Sequence, residues 1–463
     1  MRRPSETRRP ETVQLASADS ARVSATAARY IAATSRRTLS AAVLDAAKAC
    51  LVDWCGVAVG ALHEPAATAV RKVVRSWGGT GQARVLLGWT TSAPLAALVN
   101  GTMAHCLDFD DTHVGAIAHL SAPTWAATLA LAQQRGSSGA QALAAFSAGF
   151  EVGGKLGSGG LGEKLTERGF HSTGVIGRLA AAAAAGALLG LDEQRAAHAL
   201  GLAATQTGGF TGSFGTMAKP FHAGKAGMDG VLSAEFAAEG FEAAPRLLDT
   251  PDGLVGTMVQ DGSAGMGAMD FSESELLRNT FKPYASCLLT HPSIDAARSL
   301  TGEIGRREVC RVRATVHPLV VQVAGKPSPR TPLEAKFSLA YCVAIGLKGH
   351  KAQAGDFSPQ QLNDPAVRAL LERVQLDPSP GIAKTAAALE VDLADGATLR
   401  AEVPIALGNP ERPMSWTDME NKFMALVQPA LGKKAEALFA ALRRFEQPGA
   451  SEEVASLLED GRA

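Results

Sequence analysis

Six consecutive alanines, Ala180 to Ala185, lie inside a stretch from Gly177 to Gly209 in which apolar residues recur at three- and four-residue spacing. Alanine is the strongest helix former, and helices rich in it can approach one another closely. The same period runs from about Val23 to Gly240, and Asp192 is placed to cap a helix through Ala196 to Ala203. Such a pattern predicts a compact helical bundle in which polar side chains from several helices converge. The apolar run Leu179 to Leu191 is shorter than the roughly 20 residues of a membrane span, so a soluble protein with no membrane partner is expected.

Near Phe271 the period changes. Val309 to Val316 alternates apolar with polar residues, as do Leu389 to Leu393 and Leu399 to Val403 on either side of an Asp395-Gly396 turn. These read as half-buried strands, the last two forming a hairpin. A helical pattern runs from Pro332 to Lys348, and Ser358-Pro359 and Asp364-Pro365 each offer a cap with proline in the first turn. Helical spacing returns through Thr417 to Leu431 and Lys434 to Phe445. The expected fold class is mainly α with an α+β second domain, and two domains suit a chain of 463 residues.

Forty-five basic and 45 acidic residues cancel, which leaves no global field to recruit nucleic acid or an anionic membrane. Arg2, Arg3, Arg8 and Arg9 are interspersed with Glu6 and Glu11 and precede no apolar segment, so residues 1–20 are expected to be a disordered tail and not a secretory signal. Six scattered cysteines without a C-x-x-C predict reduced thiols and a cytoplasmic location.

The chemistry is concentrated between Asn100 and His119, where Asp108, Asp110 and Asp111 alternate with His105, His113 and His119. Asp and His are rarely buried without partners, and carboxylate–imidazole pairs set acids and bases near neutral pH. Spacing of three and four puts Asp108, Asp111 and Thr112 on one face if the segment is helical. His105, Asp108 and His119 are also conceivable metal ligands, but no His-Glu-x-x-His or paired cysteines accompany them, and a metal-free site is expected. Cys287 between Lys282 and His291 lacks an oxyanion-hole signature and reads as a small buried hydrophobe. Gly157 to Gly162 matches G-x-G-x-x-G without a preceding strand and reads as a flexible loop. Neither Ser213 nor Ser338 stands in G-x-S-x-G.

The Asn100–His119 run resembles the signature of the MmgE/PrpD family. Three segments in matching order strengthen the likeness: Arg168-Gly-Phe-His-Ser-Thr-Gly174, Met217-Ala-Lys-Pro-Phe-His-Ala-Gly224, and Lys282-Pro-Tyr-Ala-Ser-Cys-Leu-Leu-Thr-His-Pro-Ser-Ile-Asp-Ala296. The resemblance covers roughly residues 20 to 430. It implies a helical domain over 21–270 completed by 409–455, an inserted α+β lid over 271–408, and a homodimer. It implies Asp108, His119, His171, Lys219, Lys282 and His291 as catalytic residues, with Thr112, His113, His222 and Cys287 against the substrate. The family includes dehydratases, decarboxylases and an epimerase of small carboxylates, all using chemistry beside a carboxylate.

The expected protein is a cofactor-independent lyase of the dehydratase type. His119 or His171, assisted by Asp108, takes an α-proton from a small di- or tricarboxylate, Lys219 and Lys282 neutralise the developing charge, and another imidazole such as His291 protonates the leaving hydroxyl. A cis-aconitate-type decarboxylase and a dicarboxylate epimerase are the alternatives. The chain departs from the decarboxylase pattern by having Cys287 where that pattern has histidine, and by lacking a tyrosine in the segment before Pro329. It also has Ala285 and Leu288 where proline and arginine are common in the family, and an arginine lost there removes a bidentate carboxylate clamp.

Overall fold

A computed structural model describes residues 23–260 and 269–459; the tail assigned to residues 1–20 lies outside the described residues. The helices Ala93–Cys106, Ser121–Arg135, Gly139–Leu156, Ser172–Leu188 and Ala218–Ala238 pack together around an almost wholly buried core. The alanine run is buried on every side. Close approach is a requirement at Gly224 and Gly230: a Cβ would stand 2.2 Å from Leu98 O at the first and 2.4 Å from Ala181 Cβ at the second. Asp192 caps Glu193–Ala204 by accepting from Arg195 N–H at 2.8 Å, as its position predicts.

The second region carries a four-stranded sheet in the order Val374–Pro378, Val309–Val316, Ala387–Leu393, Thr398–Val403, with the first pair parallel and the others antiparallel. Ala387–Leu393 alternates buried and half-buried residues, and Gly396 turns the final hairpin at a φ of 85°. Helix His291–Ile304 packs on the last two strands. The single helical pattern from Pro332 to Lys348 is two helices, Pro332–Ala335 and Leu339–Leu347. They break because Ser338 caps the second one, its oxygen accepting from Tyr341 N–H, while its hydroxyl donates to Lys326 O at 2.7 Å. Ser358 and Asp364 cap their helices as expected.

Two contacts tie the regions together. Thr112–His113 pairs antiparallel with Asn279–Thr280, which brings Lys282 against the Asp-rich motif. Helix Trp416–Leu431 returns to Ala41–Gly60, where Lys422 meets buried Asp53 at 2.6 Å. Among the described residues no helix is long and apolar enough to cross a membrane.

Candidate active site

Helix Ala93–Cys106 ends just before the Asp-rich motif, and Asp108 follows in a left-handed conformation with φ of 50°. The motif is therefore not helical, contrary to the face expected for Asp108, Asp111 and Thr112. Aspartate tolerates this region, but Ile117 at φ 48° is β-branched and strained. The turn sends successive carboxylates in different directions.

Asp110 faces two imidazoles. Its carboxylate accepts from His105 Nδ1 at 2.8 Å and lies 3.1 Å from His119 Nδ1. Burial opposes its charge, but the two histidines hold it well below the usual carboxylate range. An ionised carboxylate only accepts, so both rings carry their proton on Nδ1 and present a lone pair at Nε2. His105 Nε2 accepts from Lys219 Nζ at 3.1 Å. His119 Nε2 stands 3.8 Å from Asp108 Oδ1, and this ring is 12% exposed. Burial is the main cause that lowers the His119 pKa, opposed by Asp110 and reinforced by Lys282 and Lys219, and it lowers His105 to about 3.

Asp108 is the anchor for lysines. Lys219 Nζ donates to Oδ1 at 2.6 Å, while Lys282 Nζ donates to the Asp108 carbonyl at 2.9 Å and lies 3.4 Å from Oδ2. Burial opposes ionisation here too, yet Lys219 and Lys282 pull the carboxyl below its ordinary range. A third buried lysine, Lys336, donates to Leu107 O at 2.5 Å, and burial lowers its pKa to about 8. With both rings neutral, three ammonium groups face two carboxylates. The excess positive charge suits an anionic ligand.

The structure thus gathers Asp108, His119, Lys219 and Lys282, with Thr112 at the edge, 3.4 Å from His119 Nδ1. His171 joins them by stacking on His105 at 5.8 Å and holds His222 through a 3.0 Å Nδ1 contact. Cys287 lies in an apolar cluster with Ala324 and Phe337, bordered by Phe214, and burial pushes its thiol up to about 11, which favours the protonated form. Lys219 Nζ sits 5.5 Å from the Phe214 ring centre and 5.6 Å from that of Phe337.

Two expected residues stand apart. His113 accepts from Ala116 N–H through Nδ1 and lies 2.9 Å from Glu275 through Nε2, behind the motif. His291 is fully buried against the Tyr284 ring, with Nε2 on Ser286 O and no bond to the acids or lysines of the cluster. Asp111 also faces elsewhere. It accepts from Ser121 Oγ at 2.5 Å and Asn279 Nδ2 at 2.6 Å, and burial together with Asp53 raises its pKa to about 7.

The carboxylate in close contact with His119 is Asp110, whereas Asp108, 3.8 Å from His119 Nε2, is hydrogen-bonded to lysine. His105, Asp110 and Lys336 were the residues that spacing did not single out for catalysis. His105 precedes Asp108 by three residues. Nothing local marks Lys336. Side-chain donors of His105, Asp108, Asp110 and His119 do lie within 4.8 Å of one another, a spacing open to a cation. The Lys219 ammonium already fills that role, and both Nδ1 atoms are committed to Asp110.

The cluster is buried, rich in lysine, and built from a helical region and an α+β region. Family models for the MmgE/PrpD N-terminal domain and the MmgE/PrpD C-terminal domain match residues 25–266 and 284–446. The chain belongs to the MmgE/PrpD family. Curated relatives include cis-aconitate decarboxylase of Mus musculus, 30% identical over 369 residues, which are 76% of this chain and 75% of that protein. Cis-aconitate decarboxylase of Homo sapiens is 30% identical over 368 residues, 76% of each chain. Cis-aconitate decarboxylase of Aspergillus terreus is 27% identical over 421 residues, 83% of this chain and 85% of that one.

Proposed function

We propose that this protein is a cofactor-independent lyase that removes the proton beside a carboxylate of a small di- or tricarboxylate and then expels water. The observation that carries the reading is the Asp110–His119 pair. Asp110 fixes the proton on Nδ1, and the lowered pKa keeps the ring neutral, so His119 Nε2 offers a lone pair. Such a group acts as a base first. Elimination starts with a base, whereas loss of carbon dioxide starts with an electron sink and needs none.

In this mechanism Lys219, Lys282 and Lys336 seat the substrate carboxylates and stabilise the enolate-like charge. Asp108 holds the first two lysines in place. His171, whose Nδ1 is engaged with His222 at 3.0 Å, presents Nε2 and protonates the departing hydroxyl.

Decarboxylation at the same site is the second reading, favoured by the relatives, which are cis-aconitate decarboxylases. Against it, Cys287 and the Val320–Ala324 stretch offer no imidazole or phenol. A panel of hydroxylated and unsaturated di- and tricarboxylates separates the cases. The expected result is a rise in conjugated-acid absorbance from a hydroxy acid without release of carbon dioxide. Carbon dioxide from an unsaturated acid would establish the second reading, and inertness toward every carboxylate would refute both.

A further inference from the structure

Elimination leaves the abstracted proton on His119, a largely buried ring that must be reset before the next turnover, and the residues around it are committed. His105 spends Nδ1 on Asp110 and Nε2 on Lys219, and His119 spends Nδ1 on Asp110. His171 and His222 are arranged differently. His171 is 4% exposed and lines the cluster, with Phe214 edge-on at 5.0 Å and His105 stacked on it. His222 is half-buried in the first turn of Ala218–Ala238, and its Nε2 makes no hydrogen bond among the described residues.

Their Nδ1 atoms lie 3.0 Å apart, so one must donate and the other accept. Backbone clamps the pair. Gly209, at φ 115°, packs on the His222 ring so closely that a Cβ would stand 3.1 Å from Nδ1, and Gly209 O accepts from His171 N–H at 2.9 Å.

We infer that His171 and His222 form a two-imidazole proton relay between solvent and the buried site, with His222 as its outer terminus. The inference rests on the lyase reading for its place in turnover. At rest His222 carries its proton on Nδ1 and His171 on Nε2. As His171 gives the Nε2 proton to the departing hydroxyl, forming water, the His222 Nδ1 proton moves to His171 Nδ1, and bulk water protonates His222 Nε2. When the product has left, His119 Nε2 passes the abstracted proton across the vacated substrate site to His171 Nε2, the His171 Nδ1 proton returns to His222 Nδ1, and His222 Nε2 releases its proton to water, which restores all three rings. No electron pair leaves the rings and no charge accumulates. Burial lowers the pKa of both imidazoles, so neither traps the proton in transit.

Two variants and one spectroscopic measurement test this. Glutamine at 222 keeps a hydrogen bond to His171 but cannot pass a proton on, and alanine leaves room for a diffusible imidazole. His222→Gln and His222→Ala should each lose about 10- to 100-fold in kcat with KM changed less than about threefold, and added imidazole should restore kcat of His222→Ala in proportion to its concentration. A His222→Gln enzyme with wild-type kcat, or a His222→Ala enzyme indifferent to imidazole, would overturn the relay. Independently of any turnover, histidine-labelled wild-type protein should show the shared His171–His222 proton exchanging with water at least tenfold faster than the His105 Nδ1 proton. Equal protection of the two would sink the relay even if the lyase chemistry stands, and fast exchange in an enzyme inert to carboxylates would instead leave the relay and remove the lyase.

Discussion

Replacing Asp110 with asparagine changes one atom and should disable the base. The carboxylate accepts from His105 Nδ1 at 2.8 Å and faces His119 Nδ1 at 3.1 Å. Each charge-assisted bond is worth about 1.5–3 kcal/mol. Both rings meet the same oxygen, Oδ2, and an asparagine that turns its amide nitrogen to that place forces a facing imidazole to move its proton from Nδ1 to Nε2. Where that ring is His119, the lone pair aimed at substrate disappears. Removal of the orienting carboxylate in a serine-protease triad, by the same tautomer argument, costs about 10⁴-fold in kcat. For Asp110→Asn a loss of about 10³- to 10⁴-fold is expected, roughly 4–6 kcal/mol of barrier. KM should change less than about threefold, because Asp110 meets imidazoles and not substrate. Steady-state kinetics on protein whose thermal midpoint confirms folding provide the assay. Asp108→Asn is the contrast, since it frees Lys219 and Lys282 and should raise KM as well. A folded Asp110→Asn enzyme within tenfold of wild-type kcat would refute the assignment.

Lys219→Met should raise KM at least about tenfold and depress kcat, while prolonged chelation of the wild-type enzyme should leave turnover unchanged; activity lost to a chelator and restored by one divalent metal would contradict the lysine-centred site. Cys287→Ser should keep most of kcat, because a thiol pushed up to about 11 is protonated at working pH, and a loss beyond about 100-fold would give Cys287 a chemical role. Asp111 has its folded pKa raised from 3.8 to about 7, so its contribution to stability is present below about pH 4 and lost as pH rises through about 7. Asp111→Asn mimics the protonated form and should shrink the drop in thermal midpoint between pH 5.5 and 8.5; an unchanged drop would place the effect elsewhere.

Much of the fold is legible in local pattern. The strands Val309–Val316 and Ala387–Leu393 and the hairpin turn at Gly396 follow from period-two alternation, and the caps at Asp192, Ser358 and Asp364 from single polar side chains next to a helix start. The break at Ser338 is not legible, because Lys326 O, the acceptor for its hydroxyl, is twelve residues away. Gly157 to Gly162 is not a loop either. A π-type turn carries Gly139–Leu156 on into Gly162–Glu167, and only Gly160, at φ 99°, departs from helix.

The site was legible as a set of residue types and less so as a set of pairs. Asp108, His119, Lys219 and Lys282 do meet, but which carboxylate serves which imidazole depends on the left-handed turn at Asp108. Sequence spacing assumes a helix there and pairs the wrong atoms. Lys336 enters from a region more than 200 residues away, and its contact with the Leu107 carbonyl is purely tertiary. His113 and His291 have the right residue type, yet their ring nitrogens serve Glu275 and Ser286.

In the proposed reaction neutral His119 takes a proton from carbon beside a carboxylate. Proton NMR in deuterium oxide, on the carboxylate that the panel identifies as substrate, measures that step without relying on product release. Wild-type enzyme treated with chelator should wash the α-proton into solvent at or above the rate of turnover. His119→Gln should slow washout at least about 100-fold while it still binds the carboxylate. Washout at the wild-type rate in folded His119→Gln, or turnover of the wild-type enzyme with the α-proton fully retained, would contradict it.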